Sequence, residues 1–283
     1  METILRSART EVTISPDNAT VLIGERINPT GKKLLAASLV AGDMSRVRKL
    51  AESQIAEGAA VLDINVGAAG VDEVAMLPAA VQAVMEVTDV PLCIDSANAA
   101  ALRAALEVYP GKALVNSVNG EEASLARVLP LVKEFGAAVI ALTMDDDGIP
   151  TDADKRTAIG HKIIARAEAL GIPREDVLID CLALTVSADT SAALTTLESI
   201  RRVRAELGVN QTLGASNISF GLPDRDAIND VFLAMAIAAG VNAPIVNPGL
   251  SRKTILISDM LLGHDEFALN YVTYYREQVN KQA

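Results

Sequence analysis

The feature that most constrains this chain is a rhythm. Eight short apolar runs, often β-branched, alternate with longer Ala-, Leu- and Glu-rich segments of helical period. The runs are VLIGE (21–25), AVLDINV (60–66), PLCID (91–95), ALVNSV (113–118), AVIALTM (138–144), VLIDCLAL (177–184), TLGAS (212–216) and APIVN (243–247). Helical patterns fall near 43–57, 72–88, 97–108, 121–135, 152–170, 188–207, 224–239 and 251–262. A strand reaches a parallel neighbour only through a crossover of a dozen or more residues, usually a helix, and these spacings provide one each time. Eight β-then-α units predict an α/β fold, the (β/α)8 TIM barrel. An open doubly wound sheet would want a Gly-rich phosphate turn after its first strand, and GERINPTGKK is not GxGxxG.

Two segments lie outside the rhythm. Residues 1–20 partly alternate polar and apolar positions from Thr3 to Ile14, which predicts a short hairpin capping the N-terminal end of a barrel formed by 21–283. The stretch FALNYVTYYREQ predicts one more helix, and it holds three of the four tyrosines. Such a helix packs either on the barrel or at a subunit contact. The 283 residues could make two domains, but a barrel holds about 250 around one core, and no linker or low-complexity tract divides the chain.

Composition removes several function classes. Lys and Arg number 25 against 36 Asp and Glu, a net charge of −11, and aromatic residues are 3% with no Trp. A nucleic-acid reader needs the opposite charge and ring faces for stacking. Cys93 and Cys181 sit in apolar runs with no CxxC, which reads as two buried reduced thiols. His161 and His264 have no second His or Cys at ligand spacing, so no zinc site is expected. METILRSARTEV lacks the apolar core of a signal peptide, and no apolar run is long enough for a bilayer. The expectation is a cytoplasmic protein that binds neither membrane nor nucleic acid.

Barrel chemistry sits at the C-terminal ends of the strands, where this chain concentrates its polar residues. Glu25, Arg26 and Asn28 follow the first run, and Asp63 and Asn65 share one face of the second. Asp95 and Ser96 end the third, Asn116 and Ser117 lie in the fourth, and Asp180 lies in the sixth. Gly214, Ser216 and Asn217 close the seventh, and Asn247 the eighth. Ser96 and Asp43 read as helix N-caps. Asp63, Asp95, Asn116 and Asp180 follow apolar neighbours, where an unpaired carboxylate is costly. Together they predict a ring of acids and amides waiting for a ligand that donates hydrogen bonds. A pterin's amino-pyrimidinone edge offers two adjacent N–H donors to one Asp, and guanine fits this argument equally. The run Asp145–Asp147 before Gly148 lacks the spacing of a calcium loop and reads as a solvated turn. Lys32 and Lys33 either face an anionic tail or simply lie on the surface.

The motifs GERIN (24–28), LDINVG (62–67), CIDS (93–96), VNSVNG (115–120), LTM with GIP (142–150), LID (178–180), GASNISFGLPDR (214–225) and NDVFLAMA (229–236) occur in this order. Together they resemble the pterin-binding methyltransferases, which include methyltetrahydrofolate:corrinoid protein methyltransferases and the folate domain of cobalamin-dependent methionine synthase. Dihydropteroate synthase is a more distant relative. The resemblance spans about residues 21–250. It implies a methyl group moving between nitrogen-5 of tetrahydrofolate and the cobalt of a corrinoid (cobalamin) carried by a partner protein, with 5-methyltetrahydrofolate on one side of the reaction.

The resemblance also implies roles. Asp95, Asn116 and Asp180 hold the pterin, Asn217 lies beside nitrogen-5 as the catalytic residue, and Gly214, Ser216, Glu25 and Asn28 line the same mouth. It implies a homodimer. Cys181 stands where the family commonly has Pro, and Ala215 where a larger aliphatic residue is usual. Phe220 matches the methionine-synthase-like form. The alternatives are a dihydropteroate-synthase-like enzyme, whose cationic diphosphate motifs are not apparent, and a non-catalytic folate-binding subunit of a corrinoid complex. No corrinoid-binding motif or second domain is visible, so the corrinoid is expected on another chain.

Overall fold

The computed structural model describes residues 1–282. Eight parallel strands close into a barrel: β3 (Ile23–Ile27), β4 (Val61–Asn65), β5 (Leu92–Asp95), β6 (Leu114–Asn119), β7 (Ala138–Leu142), β8 (Val177–Asp180), β9 (Gln211–Gly214) and β10 (Ala243–Val246). Neighbours in sequence are neighbours in the barrel, and β10 pairs with β3 to close it. This is the TIM barrel that the alternation predicts.

The crossovers are helical. They are α1 (Lys33–Val40), α2 (Ser45–Ala56), α3 (Glu73–Met85), α4 (Ala99–Val108), α5 (Glu122–Phe135), α6 (Ala153–Ala169), α7 (Ala192–Arg202) and α8 (Arg225–Ala239), and α9 (Pro248–Leu262) follows the last strand. A turn of π-helix, Val203–Leu207, extends α7. The helix α1 lies in the loop after β3, where the sequence pattern shows none. Ser96 is not the cap of α4. Asn98 fills that place, its side chain accepting from Ala100 N at 3.0 Å, while Ser96 Oγ donates to Glu73 Oε2 at 2.6 Å.

Strand parity divides the core in two. Leu62, Ile64, Ile94, Val115, Val139 and Ile179 face outward into the layer shared with the helices. Ile23, Val61, Cys93, Leu114, Ile140, Leu178 and Ala243 face inward. Residues two places further along the same inward faces are Glu25, Asp63, Asp95, Asn116, Leu142, Asp180 and Ile245. The apolar layers therefore give way to a polar one at the C-terminal end.

At the opposite end an antiparallel hairpin of β1 (Thr3–Arg6) and β2 (Glu11–Ile14) lies across the strand starts. Its Leu5 and Ile14 are fully buried among the inward-facing residues. Asn210 Nδ2 donates to Thr3 Oγ1 at 2.8 Å and to Ile14 O at 2.9 Å, and Tyr109 Oη donates to Arg6 O at 2.9 Å. Gly111 permits this contact, because a Cβ there would lie 2.0 Å from Arg6 O. At the other terminus α10 (Leu269–Gln282) follows α9 and packs on it, with the Arg252 guanidinium 5.1 Å above the Tyr274 ring. No helix among the described residues is long and apolar enough to cross a membrane.

Candidate functional site

The polar layer floors a cleft of about 650 Å³, within the size of small-molecule sites. Glu25, Asn28, Asp95, Asn116, Asp180, Gly214, Ser216 and Asn217 all line it. The barrel thus brings every candidate residue to one cavity, from five strands and the loops that follow them. Asp63, Lys32, Arg225, Asn229 and Asn247 line it as well.

The floor is not the set of unpaired groups that the sequence suggests. Register sets Asn65 beside Asp95 and Asp95 beside Asn116 on adjacent strands. Asn65 Nδ2 donates to Asp95 Oδ2 at 2.9 Å, and Asn116 Nδ2 donates to Asp63 Oδ1 at 3.1 Å. Two acids are therefore each held by an amide, which offsets part of the cost of burying them. The second Asp95 oxygen and the Asn116 carbonyl are left as acceptors. Asp180 Oδ1 accepts from Leu182 N at 2.7 Å, and its carboxylate also receives the Gly214 N–H.

Burial raises the proton affinity of all three acids. It does so for Asp63, despite hydrogen bonds from Asn116 and Cys93. It does so more strongly for Asp95, to which the Asp63 charge adds. Asp180 is pushed up to about 6, burial outweighing its two backbone donors and the Arg156 charge. Glu25 is raised by burial and by Asp63, while Lys32 and Arg225 pull it down. Buried carboxyls with raised proton affinity in a cleft are a common mark of functional sites.

Arg156 shapes the loop after Asp180. It is 1% exposed. Nε donates to Pro150 O at 2.8 Å, and Nη1 donates to Cys181 O at 2.6 Å and Leu182 O at 2.9 Å. These bonds hold Leu182 in the left-handed region at φ 59°, the turn that aims Leu182 N back at Asp180. Sequence reasoning missed Arg156, because nothing in the helical pattern of 152–170 distinguishes it from a surface arginine.

The rim differs from the floor. Asn217 is exposed in a 3-10 turn, Ala215–Ser219, directly after β9. Its amide makes no hydrogen bond among the described residues. Gly214 is the close neighbour, since a Cβ there would stand 3.4 Å from Asn217 Nδ2. Arg225 fixes the turn by donating from Nη2 to Ser216 O at 2.9 Å and from Nε to Ser219 Oγ at 3.0 Å. Asn28 Oδ1 is taken by Thr30 N at 3.0 Å, so this oxygen serves the loop. Asn229 Oδ1 and Asn247 Oδ1 are buried with no partner among the described residues. Asn229 lies in the motif 229–236 but carries no sequence signal of its own. The Asp145–Gly148 segment is a tight turn bridged across its ends, with Asp146 and Asp147 exposed. Among the described residues no group of three His, Cys, Asp or Glu could hold a metal ion.

Comparison with known proteins agrees with this geometry. The family described as "Pterin binding enzyme" matches residues 24–247. A methionine synthase of Mycobacterium tuberculosis is 34% identical over 259 residues, 87% of this chain and 22% of that protein. The chain thus spans about a fifth of the length of that relative. A methylcorrinoid:tetrahydrofolate methyltransferase of Eubacterium limosum is 29% identical over 268 residues, 91% of this chain and 96% of that one. Among solved structures, a Yersinia pestis DHPS with a pterine-sulfa conjugate has a TM-score of 0.71 at 17% identity, covering 92% of this chain and 99% of its own, which shows a shared fold. From residue 24 to residue 247, almost the whole barrel and every residue lining its floor, this chain belongs to the pterin binding enzyme family.

Proposed function

We propose that this protein moves a methyl group between nitrogen-5 of tetrahydrofolate and the cobalt of a corrinoid carried by a partner protein. The observation that carries the reading is the division of the cleft. Its floor presents acceptors from Asp95, Asn116 and Asp180, and its rim presents the free amide of Asn217. A pterin edge supplies the N–H donors that such a floor lacks. Asp180 takes two of them in a bidentate pair, Asp95 takes another through its second oxygen, and Asn116 reads a mixed donor and acceptor edge. Gly214, Ser216, Glu25 and Asn28 bound the mouth around the ring.

The chemistry then falls on the rim. When methyl leaves nitrogen-5, the nitrogen–carbon bond breaks and its electron pair stays on nitrogen. A tertiary amine is a poor leaving group unless that pair is stabilised. The Asn217 amide donates a hydrogen bond to nitrogen-5 that strengthens as the pair localises there, lowering the barrier more than it tightens binding. A corrinoid, when docked, supplies the cobalt that takes or gives the methyl group. Its approach is from the open rim, because the floor below is packed side chain. The relative named methylcorrinoid:tetrahydrofolate methyltransferase supports both the folate and the corrinoid.

Turnover of 5-methyltetrahydrofolate with cob(I)alamin, followed by cobalt absorbance, tests the reading. Methyl transfer that depends on the protein supports it. Tight folate binding without transfer would instead make the chain a folate-binding subunit. A homodimer belongs to the same proposal, and sedimentation of the purified chain checks it.

A further inference from the structure

The helix α1 is apolar on both sides. Lys33 and Ser38 are its only polar residues. Leu35 and Leu39 are buried in the core, while Leu34 is 67% exposed and Val40 56%. Ala37, on the same outward face, is exposed too. A helix that is apolar all round is ordinarily buried on all sides. The barrel does not require this one. The crossover from β3 to β4 is made by α2, which buries Val47, Ala51 and Gln54, and α1 packs chiefly on α2.

The surroundings of α1 are cationic. Residues 32–52 hold five Lys and Arg against two acids, in a chain with a net charge of −11. Of these five cations, only Arg48 has a carboxylate within 4 Å among the described residues, that of Glu86. The acids nearby do not cancel the rest. Asp43 feels Arg46 and Arg48, but its oxygens accept from Ser45 N and Ser45 Oγ at 2.9 Å each. Glu25 acts on Lys32 from inside the cleft. Glu52 is exposed on α2 and makes no ion pair among the described residues. Between the two helices lies a groove of about 220 Å³, lined by Lys32, Leu34, Leu35, Arg46, Lys49 and Leu50. Three leucines and three cations therefore share one depression.

We propose that the α1–α2 groove is a docking surface for an acidic amphipathic helix of a partner protein. One large apolar side chain of that helix seats among the leucines, and flanking carboxylates meet Lys32, Arg46 and Lys49. The inference stands apart from the methyl-transfer reading. Charge selects the partner. An acidic surface is repelled by most of this chain and drawn to this one segment, which fixes where it lands. Lys32 lines both the groove and the cleft, so the partner stands beside the mouth without filling it. Cations around an apolar helix also suit an anionic lipid surface. Two observations favour a protein. Residues 32–52 contain no Trp, Tyr or Phe to anchor in a bilayer interface. The depression between the helices also accepts a protruding side chain, whereas insertion into lipid needs a convex apolar face.

Fluorescence anisotropy on the whole chain tests this with a labelled helical peptide that carries leucines on one face and glutamates beside them. Its twin carries lysines in place of the glutamates. The glutamate peptide should bind the wild type, more weakly as salt is raised, and the lysine twin should not. The double variant Arg46→Glu, Lys49→Glu should weaken the glutamate peptide at least tenfold and admit the lysine twin. Leu34→Ala should cost about tenfold without changing the salt dependence, because it removes apolar contact and no charge. All three side chains lie at the surface groove, so thermal melts of the variants should match the wild type. No binding of the glutamate peptide, or equal binding of the twins, overturns the proposal. Two further arms do the same. If the wild type sediments with phosphatidylglycerol vesicles and Leu34→Ala does not, the surface serves a membrane. If the wild type self-associates in sedimentation and either variant disperses it, the surface serves a second copy of this chain.

Discussion

Asn116 donates its amide to Asp63 at 3.1 Å, two strands away across the barrel floor. The bond commits the nitrogen of Asn116 inward and leaves its carbonyl as the end available to a ligand. Asp63, fully inside and also receiving the Cys93 thiol, acts on a ligand chiefly through Asn116.

Asp63→Asn should therefore loosen the floor without unfolding it. The new amide can offer Asn116 a donor as readily as an acceptor, so Asn116 loses its fixed orientation. Pterin affinity should fall by about tenfold, the scale of one well-placed hydrogen bond to a charged group. Thermal stability at neutral pH should hold or rise, because a buried carboxyl has been removed. Calorimetry and a thermal melt on the same preparation check both. A melt that collapses would make Asp63 a structural group first.

Asp180 sets a pH dependence whose sign can be worked out. Its proton affinity rises from an ordinary 3.8 to about 6 on folding. Between those values the folded chain keeps a proton that the unfolded chain has released. This carboxyl's contribution to stability therefore falls as pH rises from about 4 to about 6 and stays low above that. Ligand N–H donors prefer the ionised form, so binding near pH 6 should expel a proton and affinity should decline as pH drops below it. Calorimetry in buffers of different ionisation enthalpy measures the release. Heats that do not depend on the buffer would remove Asp180 from the ligand edge. Asp180→Asn should remove the part of the release that Asp180 contributes, leaving that of Asp95, and stabilise the unliganded protein at pH 7 by at most ~3 kcal/mol.

Asn217→Ala should separate binding from chemistry. The residue is exposed at the rim and free of internal bonds, so its loss should leave the melt unchanged. Methyl transfer should drop by about 10²–10³-fold, the range for one donor aimed at a developing charge, with folate affinity within a few fold. Single-turnover transfer beside equilibrium binding distinguishes the two. Equal losses in both would reduce Asn217 to a binding contact.

Arg156 should act on the site through Asp180. Arg156→Met leaves the carbonyls of Pro150 and Cys181 without their donor, and leaves Leu182 O with Thr196 Oγ1 alone. Each orphaned group costs about 1–3 kcal/mol, so a loss of ~3 kcal/mol or more in denaturant unfolding is expected. The Arg156 charge also holds down the Asp180 proton affinity, so the pH at which folate affinity declines should move upward. Arg156→Lys should recover part of the stability and most of that pH shift. An unchanged pH profile in Arg156→Met would limit the residue to holding the loop.

How far the sequence alone reaches is visible in these residues. Strand runs are short, apolar and bounded, so local pattern finds all eight, with end points differing from the structure by a few residues. The run 177–184 overshoots, because Leu182 turns left-handed under Arg156, a contact from a helix earlier in the chain. The pattern misses α1 because its eight residues are brief and its N-cap, Lys32, makes no capping bond. Asp95, Asn116 and Asp180 stand out because acids and amides at strand ends are expensive. Their pairing with Asn65 and Asp63 does not, since it depends on register between closed strands. Lys32 and Arg225 look like ordinary surface cations until the fold brings both near Glu25 in the cleft.

The hairpin wedged under the barrel by Leu5 and Ile14 has a kinetic consequence. With the floor packed and the far end stopped, the well has one door. A small molecule at the bottom of such a well enters and leaves through the rim alone. Under the proposed methyl exchange, a protein docked over that rim would make the folate first in and last out.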